Sequence, residues 1–315
     1  MTAIASIHQP GLQTTVQDAG RSGGRHLGVP QSGAADRLSL ALANAAVGNP
    51  WDAPALECAM TGPTLTFEAN TGFAIAGADM GATLNNVSIS PYERKSAVPG
   101  DRLTLRSAKT GARAYIAFAG GVAGEEFLNS ASTYLPACVG GLNGRALRAG
   151  DAIQKRGMAM LAPADIPGAL RAQFGRDYIL RATEGPDSDR FDPTTIARFF
   201  SAPFTADARG DRMGVRLNGE AITPDDAKTM KSSAVFPGTV QCPNDGLPFL
   251  LGPDAQTVGG YPRIAQIIDA DLSLTGQIRP GDRIWFRRST PEKARETTVQ
   301  RQMLIASFVP NFSFR

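Results

Sequence analysis

The chain has 315 residues, 42% apolar and 19% charged, and 32 basic against 29 acidic side chains leave a net charge of +3. That is a globular composition, long enough for two domains and too close to neutral to imply nucleic acid. Cys58, Cys138 and Cys242 are too far apart for a disulfide framework or a C-x-x-C zinc site. With only His8 and His26, neither a zinc site nor a Ser-His-Asp triad has support.

The first segment of interest is the Gly-rich "GLQTTVQDAGRSGGRHLGVPQSGAAD" (11–36), which carries Gln17, Asp18, Arg21, Arg25, His26 and Asp36 with little regular pattern. "AADRLSLALANAAVG" follows as a helix, with apolar Leu38, Leu42 and Ala46 on one face and a stop at Gly48. "TLTFEA", "GFAIAG", "RLTLRS" and "AYIAFAGG" then read as short strands between Gly/Pro/Asp turns. After the Ala/Pro-rich "MAMLAPADIPGALRA", the strands resume with "DYILRAT", "PFLLG" and "RIWFRR". "DPTTIARFFSAP" reads as a second helix, capped by Asp192 with Pro193 at its first position.

The second half echoes the first in the same order. "DAGRSGGRHLGV" returns as "DARGDRMGV", "ECAMTGPTLTF" as "QCPNDGLPFLL", "AIAGADM" as "QIIDADL" and "VPGDRLTL" as "RPGDRIWF"; "LRAGDAI" repeats the last turn once more. The order predicts a duplicated β-rich unit, with domains over about 1–160 and 175–305. Cys58 and Cys242 fall at matching places and read as buried strand positions.

Generic catalytic signatures are missing. There is no G-x-x-x-x-G-K-[ST], "GRSGGRHLG" does not match G-x-G-x-x-G, and no G-x-S-x-G elbow occurs. No basic n-region with an apolar core and no 18-residue apolar run is present, so a membrane span is not expected and a cytoplasmic setting is. "GPDAQTVGGYPRIAQI" (252–267) gathers Asp254, Gln256, Thr257, Tyr261 and Arg263 around Gly259, Gly260 and Pro262. Such a loop either wraps a small polar ligand or is a tight β-turn with solvated side chains.

"GLQTTVQDAGR", "GVPQSGAAD", "LANAAVGNP", "ALECAMTGPTLTF", "GADM", "PGDRLTL", "STYLPACVGGLNGRALRAGD", "DRMGVRL" and "DAQTVGGYPRIAQI" run in order over almost the full length. In these motifs the chain resembles the family of proteins similar to the second subunit of allophanate hydrolase. The family includes the C-type subunit of prokaryotic 5-oxoprolinase, the Bacillus regulator KipA and a portion of the carboxyltransferase region of urea carboxylase. The resemblance implies a mainly β fold of two cyclophilin-like β-barrel domains, and a small planar amide as substrate. It also implies partners, the B-type subunit, similar to the kinase inhibitor KipI, and the A-type subunit of 5-oxoprolinase, with ATP used by the complex although no self-contained ATP site is seen. Biotin would serve only under the carboxyltransferase alternative, and a KipA-like regulator would catalyse nothing. No metal, nucleic acid or membrane partner is expected.

The expected ligand site lies between the "VQDAGR" and "DAQTVGGYP" loops. Asp18, Arg21, Asn44, Arg212, Gln256, Thr257 and Tyr261 are its substrate-binding residues, an Arg taking a carboxylate and Gln or Asn the amide. Asp18 and Asn44 could equally stabilise their own turns. Replacing Arg212 or Gln256 by Ala is expected to spare the fold.

Overall fold

Short apolar runs punctuated by Gly, Pro and Asp give a mainly β chain, and each of the seven strand segments read from the sequence contains a strand in the computed structural model. The structure describes residues 3–225 and 230–314. The chain divides into two units. One holds the residues up to Ser22, Ser32–Phe174 and Leu304–Ser313; the other holds Gly23–Gln31, Gly175–Met303 and Phe314.

The first unit contains β1 (Ala3–Gln9), β2 (Gln13–Gln17), helix α1 (Arg37–Ala46), β3 (Ala55–Ala59), β4 (Thr64–Phe67) and β5 (Thr71–Asp79). It continues with β6 (Thr83–Leu84), β7 (Val87–Ser88), β8 (Lys95–Ala97), β9 (Arg102–Thr104), β10 (Thr110–Phe118) and β11 (Ala152–Gln154). One sheet has the order β11-β1-β4-β9-β6-β7 and the other β2-β3-β10-β5-β8. Ile4, Ile7, Leu65, Phe67 and Leu103 from the first meet Val16, Leu56, Phe73, Ile116 and Phe118 from the second in one buried core. α1 packs on β5 and β10, so β5 is buried along almost its whole length and its sequence is a continuous apolar run rather than an alternation. The Asp36 carboxylate caps α1 by accepting from the Ser39 N–H at 3.0 Å and the Ser39 hydroxyl at 2.6 Å.

The second unit contains β12 (Asp177–Glu184), α2 (Pro193–Phe199), β13 (Phe204–Ala206), β14 (Gly214–Asn218), β15 (Ser233–Ala234) and β16 (Thr239–Gln241). After these come β17 (Phe249–Leu251), β18 (Val258–Gly259), β19 (Arg263–Ile267), α3 (Leu272–Thr275) and β20 (Arg283–Arg288). Seven of its strands close a barrel in the order β12-β19-β16-β17-β14-β13-β20, sealed by parallel pairing of β12 with β20; β15 and β18 form a separate two-stranded ribbon. Phe199, Phe204 and Phe286 fill the barrel, with 4.5 Å between the stacked rings of Phe199 and Phe286. As the sequence predicts, Asp192 caps α2, accepting from the N–H groups of Thr194 and Thr195. A helix that the sequence reading did not anticipate, α4 (Pro291–Ala306), follows β20.

The echoed G-D turn keeps its geometry at all three places. Gly100, Gly150 and Gly281 have φ of 91°, 91° and 80°, left-handed values that glycine adopts without a Cβ clash. The following Asp101, Asp151 and Asp282 accept from the N–H three residues back, at 2.8, 2.7 and 2.9 Å, and the chain then enters β9, β11 and β20. Other echoed segments differ locally. Gly28 ends the 3-10 turn Arg25–Leu27, whereas Gly214 begins β14, and β3 and β4 lie in different sheets while β16 and β17 are neighbours.

These turns make the fold sensitive to acid. The Val98 N–H and the Asn85 amide hold the Asp101 carboxyl below the usual carboxylate range, and Arg145 does so for Asp151. The Arg209 N–H and the Asn218 amide bring Asp207 down to about 2. A carboxyl with a lowered folded pKa contributes stability above its unfolded value of about 3.9, and loses it as pH falls through the folded one. Thermal scans should therefore show a constant Tm from about pH 7 to about pH 5 and a steep fall below about pH 4, with Asp151→Asn shallower in that fall. A Tm independent of pH down to about 2 would contradict this account.

Candidate functional site

In the first unit the polar loops are built around one carboxylate. β2 ends at Gln17, and the next side chain, Asp18, accepts from the Gly20 N–H at 2.7 Å, the Ser130 hydroxyl at 2.6 Å, the Ala131 N–H at 2.7 Å and the Ser132 hydroxyl. Arg21 is 1% exposed; it donates to the carbonyls of Phe127 and Ser132 and stands 5.8 Å from the Phe127 ring. The structure thus brings Asp18 and Arg21 together, on the 127–132 loop. Asn44 belongs to another bracket: its amide donates to the carbonyls of Trp51 (3.1 Å) and Ala53 (2.8 Å) and accepts from Asn49 (3.0 Å), shaping the turn after α1.

The "SGAAD" segment is held residue by residue. Ala34 N–H donates to the Asp18 carbonyl (2.9 Å), Ala35 N–H to Glu57 (2.9 Å) and Asp36 N–H to the Tyr115 hydroxyl (2.8 Å), which itself donates to Glu57 (2.7 Å). Arg113 lies 3.4 Å from the second Glu57 oxygen. Burial, with Glu57 and Asp36 nearby, pushes the Tyr115 phenol well above its usual pKa, so it stays a neutral donor. The sequence reading did not single out Glu57 or Tyr115, although an acid inside the apolar strand "ALECA" was a signal.

In the second unit Arg212 and Asp254 are 5% and 2% exposed and form a bidentate pair, Nε to Oδ2 at 2.8 Å and Nη2 to Oδ1 at 3.1 Å. The pair also closes through the backbone, since Asp254 N–H donates to the Arg212 carbonyl. Thr257 is buried and its carbonyl accepts from Val235 N–H, next to the β15–β18 ribbon. Gln256 and Tyr261 reach the surface. They share Gln241, a buried residue at the end of β16 that the sequence reading passed over: its Oε1 accepts from Gln256 Nε2, and its Nε2 donates to the Tyr261 carbonyl, both at 3.3 Å. Arg25 donates to the Val235 carbonyl with its guanidinium 4.7 Å from the exposed Phe236 ring, and Arg263 donates to the Ala234 carbonyl at 2.7 Å while gripping Asp187.

The stretch from Ala234 to Arg263 thus combines neutral amides of Gln241 and Gln256 with backbone carbonyls tied by two guanidinium groups, a set of donors and acceptors without net charge on the amides. His26 is exposed in the turn after Gly24, and burial pushes the Cys58 thiol up to about 12, so that thiol is not a nucleophile. Among the described residues no group of three or more His, Cys, Asp or Glu could hold a metal ion, and no helix is long and apolar enough to cross a membrane.

The family model described as carboxyltransferase domain, subdomain A and B, matches residues 27–288. The chain is 37% identical over 299 residues to the C-type subunit of 5-oxoprolinase from Escherichia coli, spanning 95% of this chain and 96% of that one. It is 31% identical to urea amidolyase of Saccharomyces cerevisiae, over 97% of this chain but 18% of the relative. The Kluyveromyces lactis urea carboxylase structure matches with a TM-score of 0.93 at 30% identity, over 97% of this chain and 29% of that one. The chain therefore spans less than a third of the two urea-processing proteins.

Burial changes what is expected of Arg212. Its removal would strand the Asp254 carboxylate, so Arg212→Ala should destabilise the chain by about 3–5 kcal/mol in urea unfolding. Gln256→Ala, at an exposed side chain, should stay within about 0.5 kcal/mol of the parent. Parental stability of Arg212→Ala would show that the pair is not a structural clamp.

Proposed function

Because the chain belongs to the carboxyltransferase domain family of subdomains A and B, we propose that it acts as the C-type subunit of an ATP-dependent 5-oxoprolinase, which opens the lactam of 5-oxo-L-proline to L-glutamate. The supporting observation is the end-to-end match to the E. coli protein, 95% of this chain on 96% of that one, where the urea-processing relatives are matched over only a fraction of their length. Two partners, a KipI-like B-type subunit and the A-type subunit, complete the assembly in this reading.

A lactam resists water because its nitrogen lone pair is delocalised into the carbonyl, so binding must orient and polarise it. ATP supplies the free energy for ring opening in this reading, and the absence of a P-loop sequence from this chain is consistent with its binding on the partners. In this chain Gln256 donates to the lactam oxygen and accepts from the lactam N–H, while the Tyr261 ring lies against the planar amide and excludes water. Gln241 holds Gln256 in that orientation.

The purified chain should neither hydrolyse ATP nor turn over 5-oxo-L-proline alone, and should support turnover once mixed with its A-type and B-type partners. In that mixture Gln256→Ala should lower kcat/KM about thirtyfold, the effect of two lost hydrogen bonds of about 1 kcal/mol each. Turnover by the single chain, or none on mixing, would rule the reading out.

A further inference from the structure

Arg25 differs from the clamping arginines of the second unit, to which Gly23–Gln31 belongs. Arg212, Arg263 and Arg181 each grip a carboxylate. Among the described residues Arg25 makes no ion pair, and its one side-chain hydrogen bond runs from Nη2 to the Val235 carbonyl. It is half-buried, and that burial lowers its pKa with no neighbouring acid to offset the effect. A guanidinium drawn from water costs free energy until a counter-charge meets it.

The fold holds this cation in place without neutralising it. Arg25 opens a 3-10 turn closed by the Leu27 N–H on the Gly24 carbonyl and the Gly28 N–H on the Arg25 carbonyl, both at 3.0 Å. Val235, which it reaches, is buried against Leu251 and Ala255, and the exposed Phe236 ring stands 4.7 Å from the guanidinium. An aromatic ring restrains a cation without consuming its N–H groups, so the rest of the planar fork is left for an anion. The same backbone leads to Gln256. The Val235 N–H donates to the Thr257 carbonyl at 3.1 Å, and the preceding side chain is that of Gln256, exposed like Tyr261. All of these residues lie in the second unit, on or beside the segments that form the β15–β18 ribbon.

We infer that Arg25 binds the carboxylate of the substrate and so selects an anionic lactam over an uncharged amide such as urea. The inference rests on the oxoprolinase reading, in which Gln256 holds the lactam. 5-Oxo-L-proline carries its carboxylate on the ring carbon next to the lactam nitrogen, so a neutral amide and a guanidinium suit its two ends. A carboxylate takes two parallel N–H···O bonds from the fork, whereas urea leaves the charge unmet.

Arg25→Ala and Arg25→Lys test this in the assembly with the A-type and B-type partners. Both variants should keep the parental Tm and assemble. Arg25→Ala should raise KM for 5-oxo-L-proline about thirtyfold, and Arg25→Lys less, since an ammonium keeps the charge and loses the fork. The inhibition constant of 2-pyrrolidinone, the same lactam without a carboxylate, should stay parental in both, a split that a loss of structure would not produce. An inactive parental assembly would refute the oxoprolinase reading but not the contact. Calorimetric titration of the isolated chain then decides the contact: the parent should bind 5-oxo-L-proline and Arg25→Ala should not. An unchanged KM in an active assembly, or equal weakening of both lactams, would overturn the inference. So would a folded Arg25→Ala that no longer joins its partners, which would give the guanidinium to a carboxylate of another subunit. Where the assembly is inactive, no binding of 5-oxo-L-proline by the parent, or equal binding by Arg25→Ala, would overturn it.

Discussion

The loops of the first unit depend on the Asp18 carboxylate. Four donors from two distant stretches of sequence, residues 20 and 130–132, converge on it, and the carbonyl of the same residue receives Ala34. A buried charge costs several kcal/mol unless every lone pair is used, so this site tolerates one arrangement of the loops and disfavours others. Glu57 has the same role on neighbouring β3, where Tyr115 and Ala35 N–H meet it. Polar groups rather than apolar packing thus fix the irregular backbone between β2 and α1.

The second unit solves the same problem with ion pairs. Its loops are tied by Arg212 to Asp254, Arg263 to Asp187 and Arg181 to Asp271, each with two or more hydrogen bonds in a planar fork. The abundance of Arg over Lys has its structural use here, because an ammonium could not make these paired contacts.

Much of the fold was legible because local rules set it. The strand segments, the Asp192 cap and the repeated G-D turns all follow from residues within a few positions of one another. α4 was not legible, since only Ile305 of its residues is buried and no apolar stripe marks it. For the candidate site, sequence selected residue types that do make directional bonds, yet could not tell a residue that binds a ligand from one that binds its own fold. Asp18, Arg21, Asn44 and Arg212 find their partners 2 to 114 positions away. Gln241, Glu57 and Tyr115 were missed for the same reason: inside a strand pattern nothing local reveals what lies across the sheet.

The division of the chain has a consequence for its synthesis. Leu304–Ser313 belongs to the first unit, where Ile305, Val309 and Phe312 are buried and Phe312 meets Trp51 edge to face at 5.4 Å, while Gly23–Gln31 belongs to the second. A ribosome that has released the first 174 residues has released neither unit whole. Domains that are continuous in sequence can fold in turn as they emerge, but here an early loop waits for the barrel and an early core waits for residue 312. Nascent chains of this protein should thus remain open to chaperones until residue 312 has emerged, and neither half should survive as a separately expressed fragment.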